Sequence, residues 1–109
     1  MHEHHEVFLA ALHGKQRVLL HFFSKEDQTI MQRACAPMDF GPSRRAKDKS
    51  DRYHLWDFES DSSNHVLSLL PVQVSRIELQ EVPFDPIEFI TWNVSTSPWF
   101  TERDWGQFS

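Results

Sequence analysis

The chain has 109 residues, a formal charge of −5 and 39% hydrophobic residues, which is the size of one domain with a single core. Nine Phe and four Trp provide material for that core and exclude wholesale disorder. No apolar stretch approaches the ~20 residues that cross a bilayer, and the charged start lacks the features of a signal peptide. The single cysteine, Cys35, excludes an internal disulfide, so we expect a cytoplasmic protein.

The charge is distributed unevenly along the chain. Residues 43–52, called the basic segment below, contain five Lys or Arg against two Asp, a net charge of +3. The total of −5 less this +3 leaves −8 for the remainder, which argues against a non-specific binder of duplex nucleic acid. A basic segment on an acidic body could steer an anionic partner to one edge. It could also be a solvated loop, and both interpretations remain open.

A short helix is predicted over residues 6–13, because four apolar residues recur there at helical spacing. These residues are Val7, Phe8, Ala11 and Leu12. The Gly14-Lys15 pair is a plausible stop for the helix. Five short strands are predicted to follow, from their strand-forming residues and their alternating polarity. They cover residues 17–23, 29–40, 53–58, 65–70 and 75–82.

Prolines and side-chain alternation refine these strands. Pro37 predicts a bend or an edge in the second strand, and Pro71 predicts a tight connection because it cannot donate to a ladder. Alternation in the third strand places Tyr53 on one face and His54 with Trp56 on the other. The fold class is therefore mainly β with a short N-terminal helix. Five strands with tight turns indicate a small barrel that closes to hide its edges.

The C-terminal part of the chain differs from the strands by its density of aromatic residues and prolines. Three of the four tryptophans lie there, at Trp92, Trp99 and Trp105. Aromatic side chains at this density are costly to expose, so we expect them to pack across the barrel or against another chain. We therefore divide the chain into a barrel with its helix, residues 1–86, and a Trp-rich extension, residues 87–109. A protein partner or a homodimer held through the three tryptophans remains open.

Several features follow one another in a fixed order over residues 7–86. They are the helix at 8–12, the strand at 18–22, Arg33 with Pro37, the segment Tyr53-His54-Leu55-Trp56, the segment Ile77-Glu78-Leu79 and the closing Pro83-Phe84-Asp85-Pro86. In this order they resemble the WYL domain, an SH3/Sm-like barrel found mostly in bacterial transcription regulators and some nucleic-acid-processing proteins. Tyr53 and His54 stand where the signature has tryptophan and tyrosine, while Leu55 is retained. Gln73 stands where the family has an arginine.

The resemblance implies a regulatory or sensing module that binds a small anionic ligand, a nucleotide or a short single-stranded nucleic acid. The residues expected to bind it are Arg33, Arg44, Arg45, Tyr53 and His54. An arginine can hold a phosphate bidentately, Tyr53 or Trp56 could stack a base, and a histidine can form hydrogen bonds near neutral pH. Family members usually carry a helix-turn-helix, for which this chain has no space.

Arg33 also has a purely structural alternative, since it could pair with one of three acids on the predicted strands. These acids are Asp39, Asp57 and Glu59.

Other chemistry has weaker support in the sequence. The acids Asp57, Glu59 and Asp61 are spaced by two and could form a catalytic or cation-binding group. The same spacing is common at polar strand ends. The histidines His2, His4 and His5 lie in a terminus that we expect to be frayed, and they have no placed third metal ligand. Cys35 is expected to be a buried, inert thiol. No glycine-rich phosphate loop occurs, so we expect no enzyme activity, no metal and no cofactor.

Overall fold

A computed structural model describes residues 4–24, 27–43, 47–59, 65–92, 94 and 99–109. The described chain contains the helix α1 (His5–Gly14) and the strands β1 (Gln16–Ser24), β2 (Thr29–Pro42), β3 (Asp51–Asp57), β4 (Val66–Leu69) and β5 (Val74–Pro83). Single 3₁₀ turns lie at Pro71–Gln73, Pro86–Glu88 and Gly106–Phe108. The mainly-β fold with a short N-terminal helix is thus confirmed. Within the described residues no helix is long and apolar enough to cross a membrane.

The five strands form one antiparallel sheet in the order β4-β3-β2-β1-β5. The sheet is not closed, because in the described part of the chain β4 and β5 do not pair with each other. The closed barrel expected from the sequence is therefore wrong. The physical reason lies in the connection: β4 has four residues, and the chain leaves it through a 3₁₀ turn that starts at Pro71, a residue without a backbone donor.

That short connection nevertheless forces the sheet to curl. A flat five-stranded sheet would hold its edge strands roughly 19 Å apart, at about 4.8 Å per strand. The link from Leu69 through the Pro71–Gln73 turn to Val74 spans at most roughly 15 Å, at ~2 Å for each step within the 3₁₀ turn and ~3.8 Å for each step outside it. The two edges must therefore approach each other at this end, which gives the sheet a concave side.

The helix α1 covers the core of the curled sheet. Its residues Phe8, Ala11 and Leu12 are fully buried, as the helical spacing of the sequence requires for one apolar stripe. The helix ends where Lys15 adopts a left-handed conformation and donates its N–H to the Leu12 carbonyl. Alternate residues of β1 and β3 complete the core from the sheet side, and they include Val18, Leu20, Phe22, Tyr53 and Leu55.

The strand β2 carries a bulge next to Pro37, at the position where the sequence predicts a bend. The pairing with β3 shifts register between Pro37, opposite Leu55, and Asp39, opposite His54. Pro37 is fully buried and Asp39 is only 6% exposed. A buried carboxylate is costly unless it is paired and hydrogen-bonded. Asp39 therefore needs strong partners at this bulge.

The C-terminal extension supplies those partners. The Asp39 carboxylate accepts hydrogen bonds from the backbone N–H groups of Phe100, at 2.9 Å, and Thr101, at 3.0 Å. The guanidinium of Arg103 lies 3.2 Å from Asp39 Oδ1 and also donates to the Met38 carbonyl. The Arg103 side chain is fully buried. Burial lowers its pKa to about 10, so it remains cationic at neutral pH and the two charges stabilise each other.

Aromatic packing holds the same extension against the sheet and the helix. Arg103 lies over the rings of Trp99, at 4.0 Å, and Trp105, at 4.5 Å. Trp105 is buried with Phe84 and Phe89, and its indole N–H donates to the Leu12 carbonyl at 2.8 Å. These residues belong to the same hydrophobic core as the strands. The division of the chain at residue 86 stays a prediction.

Gly41, near the end of β2, permits a close approach between the sheet and the extension. A Cβ atom at this position would lie 2.6 Å from Phe100 Cδ2 and 2.9 Å from Phe100 Cβ. Real Cβ atoms essentially never come this close to other heavy atoms. Phe100 can therefore donate its backbone N–H to the Asp39 carboxylate only because residue 41 has no side chain.

The first prediction concerns the buried ion pair. Asp39→Ala should lower the free energy of unfolding by about 3–5 kcal/mol, because it leaves the Arg103 charge buried without its counter-ion. Urea denaturation followed by tryptophan fluorescence measures this change. Asp48→Ala is the matched control, since the Asp48 side chain is 59% exposed and should leave the midpoint almost unchanged. Equal effects of the two substitutions would contradict the role given to Asp39.

The second prediction concerns Gly41. Gly41→Ala should destabilise the fold by about 1–3 kcal/mol, because Phe100 must move to admit the new methyl group. Gly14→Ala is the matched control, since its added Cβ would meet the Gln16 side chain at an ordinary 3.6 Å. Thermal unfolding by circular dichroism compares the two variants. An unchanged midpoint for Gly41→Ala would show that Phe100 does not need to pack here.

Candidate functional site: an apolar cleft beside the basic segment

Arg33 lies away from Tyr53 and His54, the other described residues predicted to bind a ligand. Its Nε atom is 3.5 Å from Asp57 Oδ2, and Asp57 is buried, so the structural alternative for Arg33 holds with Asp57 as its partner. In the sheet Arg33 of β2 is paired with Leu20 of β1, whereas His54 of β3 is paired with Asp39 of β2. At ~3.3 Å per residue, Arg33 and Asp39 are roughly 20 Å apart along β2. Arg33 and His54 therefore do not belong to one compact site.

Tyr53 points into the core, as the alternation within β3 allows. Its ring is fully buried and lies 4.8 Å from the ring of Phe8 and 4.7 Å from that of Phe40. Burial raises the pKa of the Tyr53 hydroxyl to about 12. That hydroxyl forms a hydrogen bond of 2.9 Å with His5 Nδ1. A ring without an exposed face offers no surface on which a base can stack.

His54 points to the opposite side of β3 and links three strands. Its Nε2 lies 2.9 Å from the Gly41 carbonyl of β2 and its Nδ1 lies 2.8 Å from Ser68 Oγ of β4. A carbonyl can only accept, so Nε2 carries the proton, and in the neutral ring Ser68 donates to Nδ1. Both ring nitrogens are therefore engaged, and His54 stabilises the short edge strand β4.

Trp56, the second candidate for base stacking, is already stacked against two rings of its own chain. The ring of His65 lies 4.8 Å away at an interplanar angle of 22°, and the ring of Phe89 lies 5.6 Å away at 19°. The Nδ1 atom of His65 is 3.0 Å from the Asp57 carbonyl, which it bonds as a donor. Intramolecular rings thus occupy the positions at which a base would stack on Trp56.

The remaining sequence candidates have structural partners or lie outside the described residues. Arg44, Arg45, His2 and Asp61 are among the residues that the structure does not describe. Glu59 accepts a hydrogen bond of 3.0 Å from the Ala34 N–H. Cys35 is fully buried, and burial raises the pKa of its thiol. Among the described side chains, no group of three or more His, Cys, Asp or Glu is arranged to hold a metal ion.

An open cleft of about 870 Å³ lies where α1 begins, β2 ends and the Pro71–Gln73 turn connects β4 to β5. Its lining residues are His5, Phe40, Ser50, Asp51, Tyr53, Leu70, Pro71, Val72 and Val74. The cleft has the size of a small-molecule site, with apolar walls and few polar groups, as such sites usually have. Val72 is 90% exposed, so the 3₁₀ turn projects an apolar side chain at the cleft's rim.

The polar groups of the cleft come from two places. His5 stands in the first turn of α1, where the helix dipole contributes a partial positive charge. Ser50 and Asp51 come from the basic segment, which contains the exposed residues Lys47 and Lys49. The cleft is thus bordered on one side by a helix start and on the other by Ser50 and the acidic Asp51, the two residues of the basic segment that line it.

The sequence points to the basic segment but not to the cleft. It predicts a frayed terminus around His5, yet His5 is only 8% exposed and is bonded to Tyr53, which is 48 residues away in the chain. The burial of His5 could have been predicted from the apolar stripe of α1, because His5 lies three and seven positions before Phe8 and Leu12 and so shares their helix face. Val72 and Leu70 have no local signal beyond the proline between them.

Comparison with known proteins returns no match to this chain among protein-family models, curated proteins or solved structures.

The third prediction uses Tyr53, the single tyrosine of the chain. Ultraviolet titration of the phenol should give a midpoint of about 12 in the folded protein and about 10 in concentrated urea. The folded pKa lies above the unfolded one, so the neutral hydroxyl contributes stability that is fully present below about pH 10 and is lost between about pH 10 and 12. Between about pH 10 and 12, the free energy of unfolding of the wild-type protein should therefore fall more steeply than that of the Tyr53→Phe variant. Parallel curves for the two proteins would contradict the buried hydroxyl.

Proposed function

We propose that this protein is a non-enzymatic binding module of a regulatory or sensing kind. Its ligand is a small anion, a nucleotide or a short single-stranded nucleic acid, and it binds in the cleft between α1, the end of β2 and the Pro71–Gln73 turn. The observation that carries this proposal is an apolar cleft of about 870 Å³ whose lining includes Ser50 and Asp51 of the basic segment. Apolar walls suit a planar ring, and neighbouring cations suit its phosphate.

The parts of the ligand would contact different elements. Phe40, Leu70 and Val72 offer apolar surface for a base or another ring. His5 and Ser50 offer hydrogen-bonding groups, and the start of α1 favours negative charge. Arg44 and Arg45 would act through their charge, which attracts a phosphate over several ångströms before contact. Arg33, roughly 20 Å along β2 from the cleft end, would meet only an extended ligand such as a short single strand.

We further propose that the open sheet is a variant of the SH3/Sm-like barrel and that the chain is a divergent WYL-like domain. The support is the strand order β4-β3-β2-β1-β5, together with the 3₁₀ turn that links its two edge strands. In this proposal Tyr53 and His54, at the signature positions, stabilise the fold. The ligand then contacts the residues around them rather than the signature side chains.

A second candidate function is protein interaction or homo-oligomerisation through the aromatic extension. Trp105 is buried and Trp99 is partly buried, its indole N–H bonded to the Phe108 carbonyl. Trp92 is 38% exposed and Phe100 is 48% exposed. An interface on the extension would therefore use Phe100 and Trp92, and the ring of Trp92 packs edge-on against Trp99 at 5.7 Å. Static light scattering of the protein and of Trp92→Ala distinguishes this function, because only an interface of this kind gives a lower mass with the substitution.

The fourth prediction tests the proposed ligand class. Titration with adenosine monophosphate and a short oligothymidylate at low salt should shift the backbone NMR signals of Phe40, Ser50 and Val72. The double variant Arg44→Glu/Arg45→Glu should weaken binding of the oligonucleotide at least about tenfold, because the attraction between the basic segment and phosphate is removed. The slope of log affinity against log salt should also fall by about one for each phosphate that the variant no longer neutralises.

The control variant is Lys15→Glu, which changes the net charge as much as either single reversal but lies at the C-terminal end of α1, whose start lines the cleft. It should weaken binding far less than Arg44→Glu or Arg45→Glu alone. Equal weakening would indicate a general charge effect rather than a site. Spectra that stay unchanged with every nucleotide and oligonucleotide would remove the proposed function.

A further inference from the structure

The strand β5 forms an edge of the sheet, and it carries the features of a self-pairing surface. Within the described residues its hydrogen-bonded neighbour is β1, and the sheet order ends with β5. An edge strand presents unpaired backbone groups that can pair with another chain. Leu79 on this strand is 46% exposed and Val82 is 44% exposed, so the edge also carries apolar side chains that a second strand would cover.

The regular part of this edge is short and well bounded. The pairing of β5 with β1 shifts register on both sides of Arg76–Leu79. Beyond it, Glu81 adopts a left-handed conformation with φ of 58° and Pro83 ends the strand. Bulges and prolines discourage edge pairing where they occur. A partner strand would therefore align with the segment centred on Ile77 rather than slide along the whole edge.

The charges within that segment are self-complementary. Arg76 and Glu78 flank Ile77; Glu78 Oε1 is 2.9 Å from the Arg76 guanidinium, and Glu78 Oε2 is 2.9 Å from His21 Nε2 on β1. If two copies of β5 pair antiparallel about a two-fold axis at Ile77, Arg76 of each copy lies directly opposite Glu78 of the other. Directly opposite side chains of an antiparallel pair have Cβ atoms ≈ 4.5–5.5 Å apart. A shift of the register by one residue removes both of these oppositely charged pairs.

We propose that two copies of this chain associate through β5, antiparallel and about a two-fold axis at Ile77. Backbone hydrogen bonds between the two strands provide the affinity, as in other cases of strand addition. Exposed ion pairs add little affinity, so Arg76 and Glu78 select the register and the orientation. The interface is isologous, which closes the assembly at a dimer. It is centred on Arg76–Glu78, whereas Val74 is the residue of β5 that lines the ligand cleft, and it does not include Trp92 of the aromatic extension.

The fifth prediction is a charge-swap experiment on this dimer. Sedimentation equilibrium from micromolar to millimolar concentrations should show a monomer–dimer equilibrium. Arg76→Glu should raise the dissociation constant at least about tenfold, because it places like charges opposite each other. The double variant Arg76→Glu/Glu78→Arg should restore dimerisation. Trp92→Ala should leave the dimer unchanged, whereas a dimer held by the aromatic extension would dissociate with it and would overturn the proposal.

A disulfide trap tests the register independently of affinity. Proteins carrying Arg76→Cys and Glu78→Cys are mixed under mild oxidation, with the buried Cys35 replaced by Ala in both. The mixture should form a covalent dimer, because opposite Cα atoms lie within the 4.4–6.8 Å that a disulfide spans. Each variant alone should cross-link poorly, since like positions would be roughly 8 Å apart by the same geometry. A monomer at all concentrations, or equal cross-linking in all three samples, would overturn the proposal.

Discussion

The buried ion pair between Asp39 and Arg103 is the interaction on which the rest of this structure depends. The two side chains are 9% and 0% exposed, and a buried charge without its counter-ion is strongly destabilising. At the bulge next to Pro37, the Asp39 carboxylate accepts one hydrogen bond from its own strand, from the Phe40 N–H at 2.9 Å. Backbone N–H groups of Phe100 and Thr101 complete its shell. The extension therefore stabilises the buried carboxylate at the bulge of the sheet, and that carboxylate holds the extension in place.

This pair connects the extension to the cleft through a series of contacts. Arg103 lies against Trp99 and Trp105, and Trp105 is bonded to the Leu12 carbonyl near the end of α1. At the other end of the same helix, His5 is bonded to Tyr53 and packs edge-on against Phe40 at 4.6 Å. The extension thus fixes the position of α1, and α1 supplies one wall of the cleft.

The elements of the fold can be predicted from the sequence, but their closure cannot. The helix and the five strands are predictable because their signals are local: spacing along α1, alternation along β3, and a proline at each bend. Whether β4 pairs with β5 depends on the geometry of the chain at Pro71–Gln73, and this geometry cannot be predicted from the periodicity of the sequence. The partner of Asp39 is likewise non-local, since Arg103 stands 64 residues away in the chain.

The same distinction holds for the candidate site. Alternation along β3 shows that Tyr53 and His54 cannot both face the core, and the structure places Tyr53 inside. Among the three acids available to Arg33, the sequence leaves the choice open, and register resolves it in favour of Asp57. The cleft depends on residues from five separate elements, so no local pattern could reveal it.

The placement of Tyr53 and His54 bears directly on how such a module could bind. Tyr53 is covered by Phe8 and Phe40, and both nitrogens of His54 are bonded to neighbouring strands. Freeing either side chain for a ligand would break contacts that stabilise the sheet. A ligand at the cleft avoids that cost, because Val72 and Ser50 are exposed already and their backbone is held by Pro71 and by β3. In the proposed function, binding beside Tyr53 and His54, rather than by their side chains, therefore keeps the fold intact.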